Sequence, residues 1–224
     1  MTLESPASPV PELEPPHDCG RCARLVAYRG TLRSAQPDWW NGPVPVSGDA
    51  DAWLAIVGLA PGAKGANRTG RAFIGDESGR LLFATLLGHG LASGAYDDAG
   101  EGGLRLRGAA IVNAVRCVPP ANRPLADEIA ACRVYLGPVL ARLDSVRVVV
   151  ALGRIAHEAV VRNSGGRLAA FRFGHLAEHD LPGGRVLIDS YHCSRYNQNT
   201  NRLTAEMFDA VFVRALRIRD GGAT

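Results

Sequence analysis

The sequence has almost no lysine: Lys64 is alone among 25 basic residues. It also has no apolar run near the about 18 residues that a membrane-spanning helix requires. No basic n-region leads into an apolar h-region at the N-terminus, so a signal peptide is not expected and the cytoplasm is the expected compartment. No G-x4-G-K-[ST] run occurs, which excludes a Walker loop, and no G-x-G-x-x-G opens a helix, which excludes the dinucleotide fingerprint. No internal repeat is visible.

What is present suits one globular domain. A chain of 224 residues that is 46% hydrophobic can bury one sizeable core. The first sixteen residues carry five prolines and read as a disordered tail, leaving a domain over 17–220. The net charge of +3 is mild. Arginine presents a planar fork that suits phosphates and base edges. A codon bias toward Arg, Ala and Gly gives the same excess, so nucleic-acid binding is allowed rather than shown.

Five cysteines stand at 19, 22, 117, 132 and 193. Cytosolic chains seldom keep structural disulfides. Cys19-x2-Cys22 with Cys117 and Cys132 makes a four-thiolate set, and Cys193 is left over. Zinc and a [4Fe-4S] cluster both accept four thiolates, and the wide second spacing favours iron–sulfur. Four ordinary core cysteines are the plain alternative.

Four short apolar runs read as buried strands: 53–59, 109–115, 146–152 and 185–190. Helical patterns fall at 80–90, 123–143 with a kink at Gly137-Pro138, about 153–161, and 203–219. This alternation implies an α/β fold, a three-layer α/β/α sandwich around a parallel four-stranded sheet. In such sheets the ligand sits outside the carboxyl ends of the strands, which selects four loops.

The first loop is "GLAPGAKGANRTGRAFIGDESG", Gly58–Gly79. It is too long for a tight strand-to-helix turn and reads as a pocket wall. Phe73 within it is a stacking surface or a plug under the loop. The second loop begins at Asn113, an amide that bonds the backbone or reads the donor–acceptor edge of a base. The third is short, with Gly153 and Arg154 opening a helix. The fourth, "SYHCSRYNQNTNRLT", places His192 just past a strand end and carries helix-start chemistry near Thr200.

Three stretches together resemble the uracil-DNA glycosylase superfamily, and most of all its family 5, the type B enzymes of bacteria and archaea. They are the Gly58–Gly79 loop, "NAVRCVPPANRP" at 113–124, and "HCSRYN" at 192–197 followed by "RLT" at 202–204. The cysteine pattern resembles the iron–sulfur ligation of families 4 and 5, with Cys19, Cys22, Cys117 and Cys132 as ligands. The likeness covers roughly 17–218.

The resemblance implies hydrolysis of the N-glycosidic bond of a deaminated base in DNA by a monomeric enzyme associated with the nucleoid. The nucleotide has to be flipped out of the stack to be reached. By similarity Phe73 stacks on the base, Asn113 reads the uracil edge, and Ala60 and Gly62 line the base and sugar. His192 bonds the leaving base at O2. Many relatives place a carboxylate just after the first strand, where Leu59 and Ala60 stand here, a departure shared by family 5. Asp76 is then the residue that positions the water, unless it merely caps the next helix; Glu77 reads as an ordinary helix-start acid. Arg68, Arg71, Arg195 and Arg202 are expected phosphate contacts, or else a solvated basic surface. Arg195 and Tyr196 stand where relatives insert a wedge. Family 5 is associated with broader substrates, including hypoxanthine. A non-catalytic or covalently trapping damage-binding relative is the alternative, but the basic insertion of trapping relatives is missing before His192. An iron–sulfur electron carrier on the same layers lacks a phosphate fingerprint.

Overall fold

A computed structural model describes residues 8–221. In chain order the strands are β1 (Ser47–Gly48), β2 (Leu54–Gly58), β3 (Ala92–Ser93), β4 (Arg105–Leu106), β5 (Ala109–Asn113), β6 (Val148–Leu152), β7 (Glu178–Asp180) and β8 (Val186–Ser190). The α-helices are α1 (Ala23–Ala35), α2 (Ala66–Thr69), α3 (Glu77–Gly88), α4 (Ala126–Arg142), α5 (Arg154–Asn163), α6 (Arg195–Asn199) and α7 (Ala205–Arg219). None is long and apolar enough to cross a membrane.

The four expected strands form a parallel block in the order β5-β2-β6-β8. Nearly every residue in them is buried, because helices cover both faces; that is why they read as unbroken apolar runs. The sheet is nevertheless six-stranded and mixed. β1 adds antiparallel to β5 and β7 adds antiparallel to β8. These edges are two and three residues long and polar, too short to give a periodic signal. α3 and α7 pack on one face around Leu82, Phe208 and Phe212. α4 and α5 pack on the other around Leu136, Val160 and Leu187.

The N-terminal expectation needs correction. Residues 1–7 lie outside the described residues, but 8–16 are part of the domain. Val10 is buried in the α4–α5 face. Glu14 accepts from the Val46 amide at 2.8 Å and pairs with the buried Arg116 guanidinium. A buried arginine requires a counter-charge, and this segment supplies it.

Three local readings also shift. α4 runs through Pro138 without a break, and Gly137 lets it lie against α5, where a Cβ would stand 2.8 Å from Asn163 Oδ1. α1 carries no periodic signal in the sequence, because it buries only Leu25 and Arg29 and so has no apolar stripe. Thr200 ends α6 rather than starting a helix; Ser194 and Thr204 accept amides at the starts of α6 and α7.

Candidate active site

The loops after β2, β5 and β8 converge on one cavity of about 480 Å³. Ala60, Gly62, Phe73, Asp76, Asn113 and His192 all line it. These are the six residues expected at the catalytic and base-binding positions. Their convergence follows from the sheet: β2 and β5 end side by side, with Gly58 in register with Asn113.

Phe73 stands in the left-handed region at φ 63°. For a bulky residue that conformation costs on the order of 1–3 kcal/mol and persists only when its surroundings fix it. They do so here. The Tyr96 hydroxyl donates to the Asp76 carbonyl and accepts from the Gly75 amide, both at 3.2 Å. A Cβ at Gly79 would strike the Phe73 carbonyl. A Cβ at Gly58 would collide with Asn113 Oδ1 and stand 2.8 Å from the Phe73 ring, so glycine lets both side chains approach the strand end.

Asn113 is 3% exposed, and its Oδ1 has no hydrogen-bond partner. An unpaired buried acceptor costs about 1–3 kcal/mol, so a ligand donor is the natural occupant of that side of the cavity. The His192 ring faces Phe73 with centroids 6.3 Å apart and planes 26° apart. Burial lowers its pKa to about 4, so the imidazole is neutral near pH 7 and donates from one nitrogen. Gly153 at φ 96° lies 3.3 Å, by its would-be Cβ, from the Cβ of His192. The Asn197 amide holds the His192 carbonyl at 2.8 Å.

Asp76 occupies the N-cap position of α3 but makes no side-chain cap bond to that helix. Its carboxylate instead accepts from the Ala66 amide at 3.2 Å. Burial raises its pKa, with the backbone bonds from Ala66 and Gly62 opposing. Side chains at Gly62 or Gly65 would collide with this carboxylate. Glu77 is exposed in the first turn of α3, as a helix-start acid is.

The arginines divide. Arg71 lies beside a different cavity and donates to the carbonyls of Gly100 and Leu104 at 2.5 and 3.0 Å, so it clamps a loop instead of facing the candidate site. Arg68 donates to the carbonyls of Lys64 and Asp98. Arg195 is exposed at the start of α6, and exposed Arg202 stacks on Tyr191 at 4.8 Å. Sequence reasoning passed over Arg123, which is exposed on the cavity rim. Its signal was its place in the second loop, after Ala121 and Asn122, both left-handed. Tyr196 also stands on the rim, 71% exposed.

Cys19, Cys22, Cys117 and Cys132 gather beside the second loop. The first two precede α1, Cys117 follows β5, and Cys132 lies on α4. Burial pushes the Cys132 thiol up to about 12 and raises Cys117 and Cys22. Held as thiolates, they require cationic charge nearby. Arg29 Nη1 donates to Cys117 Sγ at 2.9 Å, and the Arg116 amide donates to Cys132 Sγ at 3.3 Å. Arg29 Nε and Arg116 Nη1 are buried without partners. Two guanidinium groups beside four sulfurs suit an anionic thiolate centre. Cys193 is buried and lies apart from this set, near Asp76.

A family model described as the uracil DNA glycosylase superfamily matches residues 45–216. A type-5 uracil-DNA glycosylase of Thermus thermophilus is 47% identical over 89% of this chain and 93% of its own length. One of Pyrobaculum aerophilum is 42% identical over 88% of each. A type-4 uracil-DNA glycosylase of Thermotoga maritima is 32% identical over 68% of this chain and 70% of its own. With these matches spanning the loops that build the cavity, the chain belongs to the uracil DNA glycosylase superfamily, in its type-5 branch.

Proposed function

We propose that this chain is a monofunctional DNA glycosylase of base excision repair. It hydrolyses the N-glycosidic bond of uracil, and of other deaminated bases such as hypoxanthine, to leave an abasic site. The observation that carries this reading is the buried Asn113, whose Oδ1 has no partner, in the wall of the cavity shared with Phe73, Asp76 and His192.

The flipped base stacks on Phe73. Asn113 accepts from uracil N3–H and donates to O4; cytosine presents the opposite pattern, so a fixed amide rejects it. As the bond breaks the base gathers negative charge, and neutral His192 donates to O2. Such a donor contributes about 10²–10³ in rate. Asp76 positions the water that captures the sugar. Arg123, Arg195 and Arg202 engage the backbone phosphates, and Tyr196 fills the gap left by the flipped base. A monomer suffices, because every residue used comes from one chain, and the substrate places its work in the cytoplasm with the genome.

Cys19, Cys22, Cys117 and Cys132 hold a [4Fe-4S] cluster, whose role is to tie the N-terminal segment to the loop after β5. Zinc is the lesser fit. Among the described residues no three of the thiols bring their sulfurs within 4.8 Å of one another, whereas zinc–sulfur bonds of about 2.3 Å draw four sulfurs closer than that.

The test is incubation with single- and double-stranded oligonucleotides carrying uracil, hypoxanthine or xanthine, followed by alkali. Cleavage at the damaged base is expected. No cleavage at any of them overturns the reading, and a protein–DNA adduct surviving denaturation replaces it with covalent trapping.

A further inference from the structure

Away from the cavity, on the α4–α5 face, three ionisable side chains meet: buried His157 of α5, half-buried His179 of β7 and buried Asp189 of β8. His157 Nδ1 is 2.8 Å from Asp189 Oδ1, and His179 Nε2 is 3.3 Å from Asp189 Oδ2. One ligand atom from each lies within 4.8 Å of the other two. The glycosidic reaction uses none of them.

The hydrogen-bond count leaves a charge to be placed. His157 Nε2 faces the Phe171 carbonyl at 2.9 Å, which only a proton on that nitrogen satisfies. In a neutral ring Nδ1 is then a bare acceptor, aimed at a carboxylate oxygen that is also an acceptor. A cation has to join them: a second proton fits the present 2.8 Å, and a metal ion bound to both atoms would widen it, since its bonds to nitrogen and oxygen are about 2.0–2.2 Å each. The Phe171 contact is the arrangement that orients metal-bound histidines, in which the ring nitrogen not bound to metal donates to a backbone carbonyl. Phe173 packs edge-on against His157 and Phe171 against His179.

We propose that His157 Nδ1, His179 Nε2 and Asp189 form a binding site for a divalent cation of the zinc class. Two imidazoles and one carboxylate suit zinc, cobalt or nickel over calcium or magnesium, which prefer all-oxygen shells. Three protein donors leave a fourth position to water. The ion cross-links α5, β7 and β8 just before the loop that carries His192, so its effect is on the rigidity of that loop's base.

The experiment titrates zinc chloride into the purified protein with its cysteine centre filled. Histidine ring signals are followed by nitrogen-15 NMR, and metal is counted after desalting. The expected result is one zinc retained per chain beyond the metal of the cysteine centre, with loss of the His157 Nδ1 proton and a rise in melting temperature. In His179→Gln the extra equivalent disappears while uracil excision is kept. If excess zinc washes out and His157 retains both ring protons, the trio is a proton-bridged ion pair and the proposal fails. It fails equally if His179→Gln retains the same zinc. The wild-type titration decides alone should the variant not fold.

Discussion

Asp76 stands at the N-cap of α3 yet turns its carboxylate away from that helix, to the amide of Ala66 3.2 Å away. Gly62 and Gly65 leave no room for side chains beside it. A cap would belong to α3 alone. This carboxylate belongs to the loop and lines the cavity, although the strand end itself offers no acid.

Asp76→Asn keeps shape and loses charge. Because burial raises the pKa of Asp76, the folded state disfavours its ionised form. The variant is expected to melt at or above the wild-type temperature while single-turnover excision of uracil falls by about 10²–10⁴. Calorimetry beside single-turnover kinetics checks both. Full excision activity removes Asp76 from the reaction.

Gly62→Ala and Gly65→Ala add a methyl where the carboxylate lies. Each is expected to displace Asp76 and cost about 1–3 kcal/mol in stability from overpacking. Excision should fall with little change in DNA affinity, which gel-shift assays on an uncleavable analogue separate from rate.

Acid should act on two groups with the same sign. In the proposed reaction Asp76 works ionised, and burial, by raising its pKa, moves the loss of activity to a higher pH than an exposed aspartate would give. His192 has a folded pKa of about 4, below its ordinary value of 6.5. Its neutral form therefore favours folding fully above about pH 6.5, and that contribution is lost as pH falls toward 4. The kcat/KM profile of the wild type is expected to fall on the acid side only, and Asp76→Asn to lose one of its acid steps.

Asn113→Ala removes the edge reader without filling the cavity. Loss of its bonds to the base is expected to lower uracil excision by one to two orders of magnitude, from about 1–3 kcal/mol. Excision of a base with a different edge pattern, such as hypoxanthine, should fall less. Equal loss on both places Asn113 in the structure of the loop instead of in recognition.

Cys132→Ala or Cys19→Ala is expected to abolish visible absorbance from the metal centre and to expose residues 8–16 to protease. Iron and sulfide analysis of the anaerobically purified wild type decides between a cluster and zinc. Arg29→Met should weaken retention of the centre, since Arg29 donates directly to Cys117 Sγ.

The sequence by itself determined the parallel block and the loops that matter. A strand buried on both faces has to be apolar throughout, and runs such as Val148–Leu152 show this without any partner. It also pointed to the loops that supply Phe73, Asn113 and His192 to the cavity, because the long loop after β2 and the strand-end Asn113 and His192 are local features of the chain. Tertiary structure alone decided the rest. The edge strands exist only because β5 and β8 offer them unpaired backbone. The segment at 8–16 packs on the domain because Val10 is buried there and Glu14 supplies a carboxylate to Arg116, a hundred residues away, and composition carries no trace of that pairing. Arg71 became a clamp because the carbonyls of Gly100 and Leu104 fold over it. The trio of His157, His179 and Asp189 was invisible for the same reason: its donors come from one helix and two strands that meet only when the sheet is built.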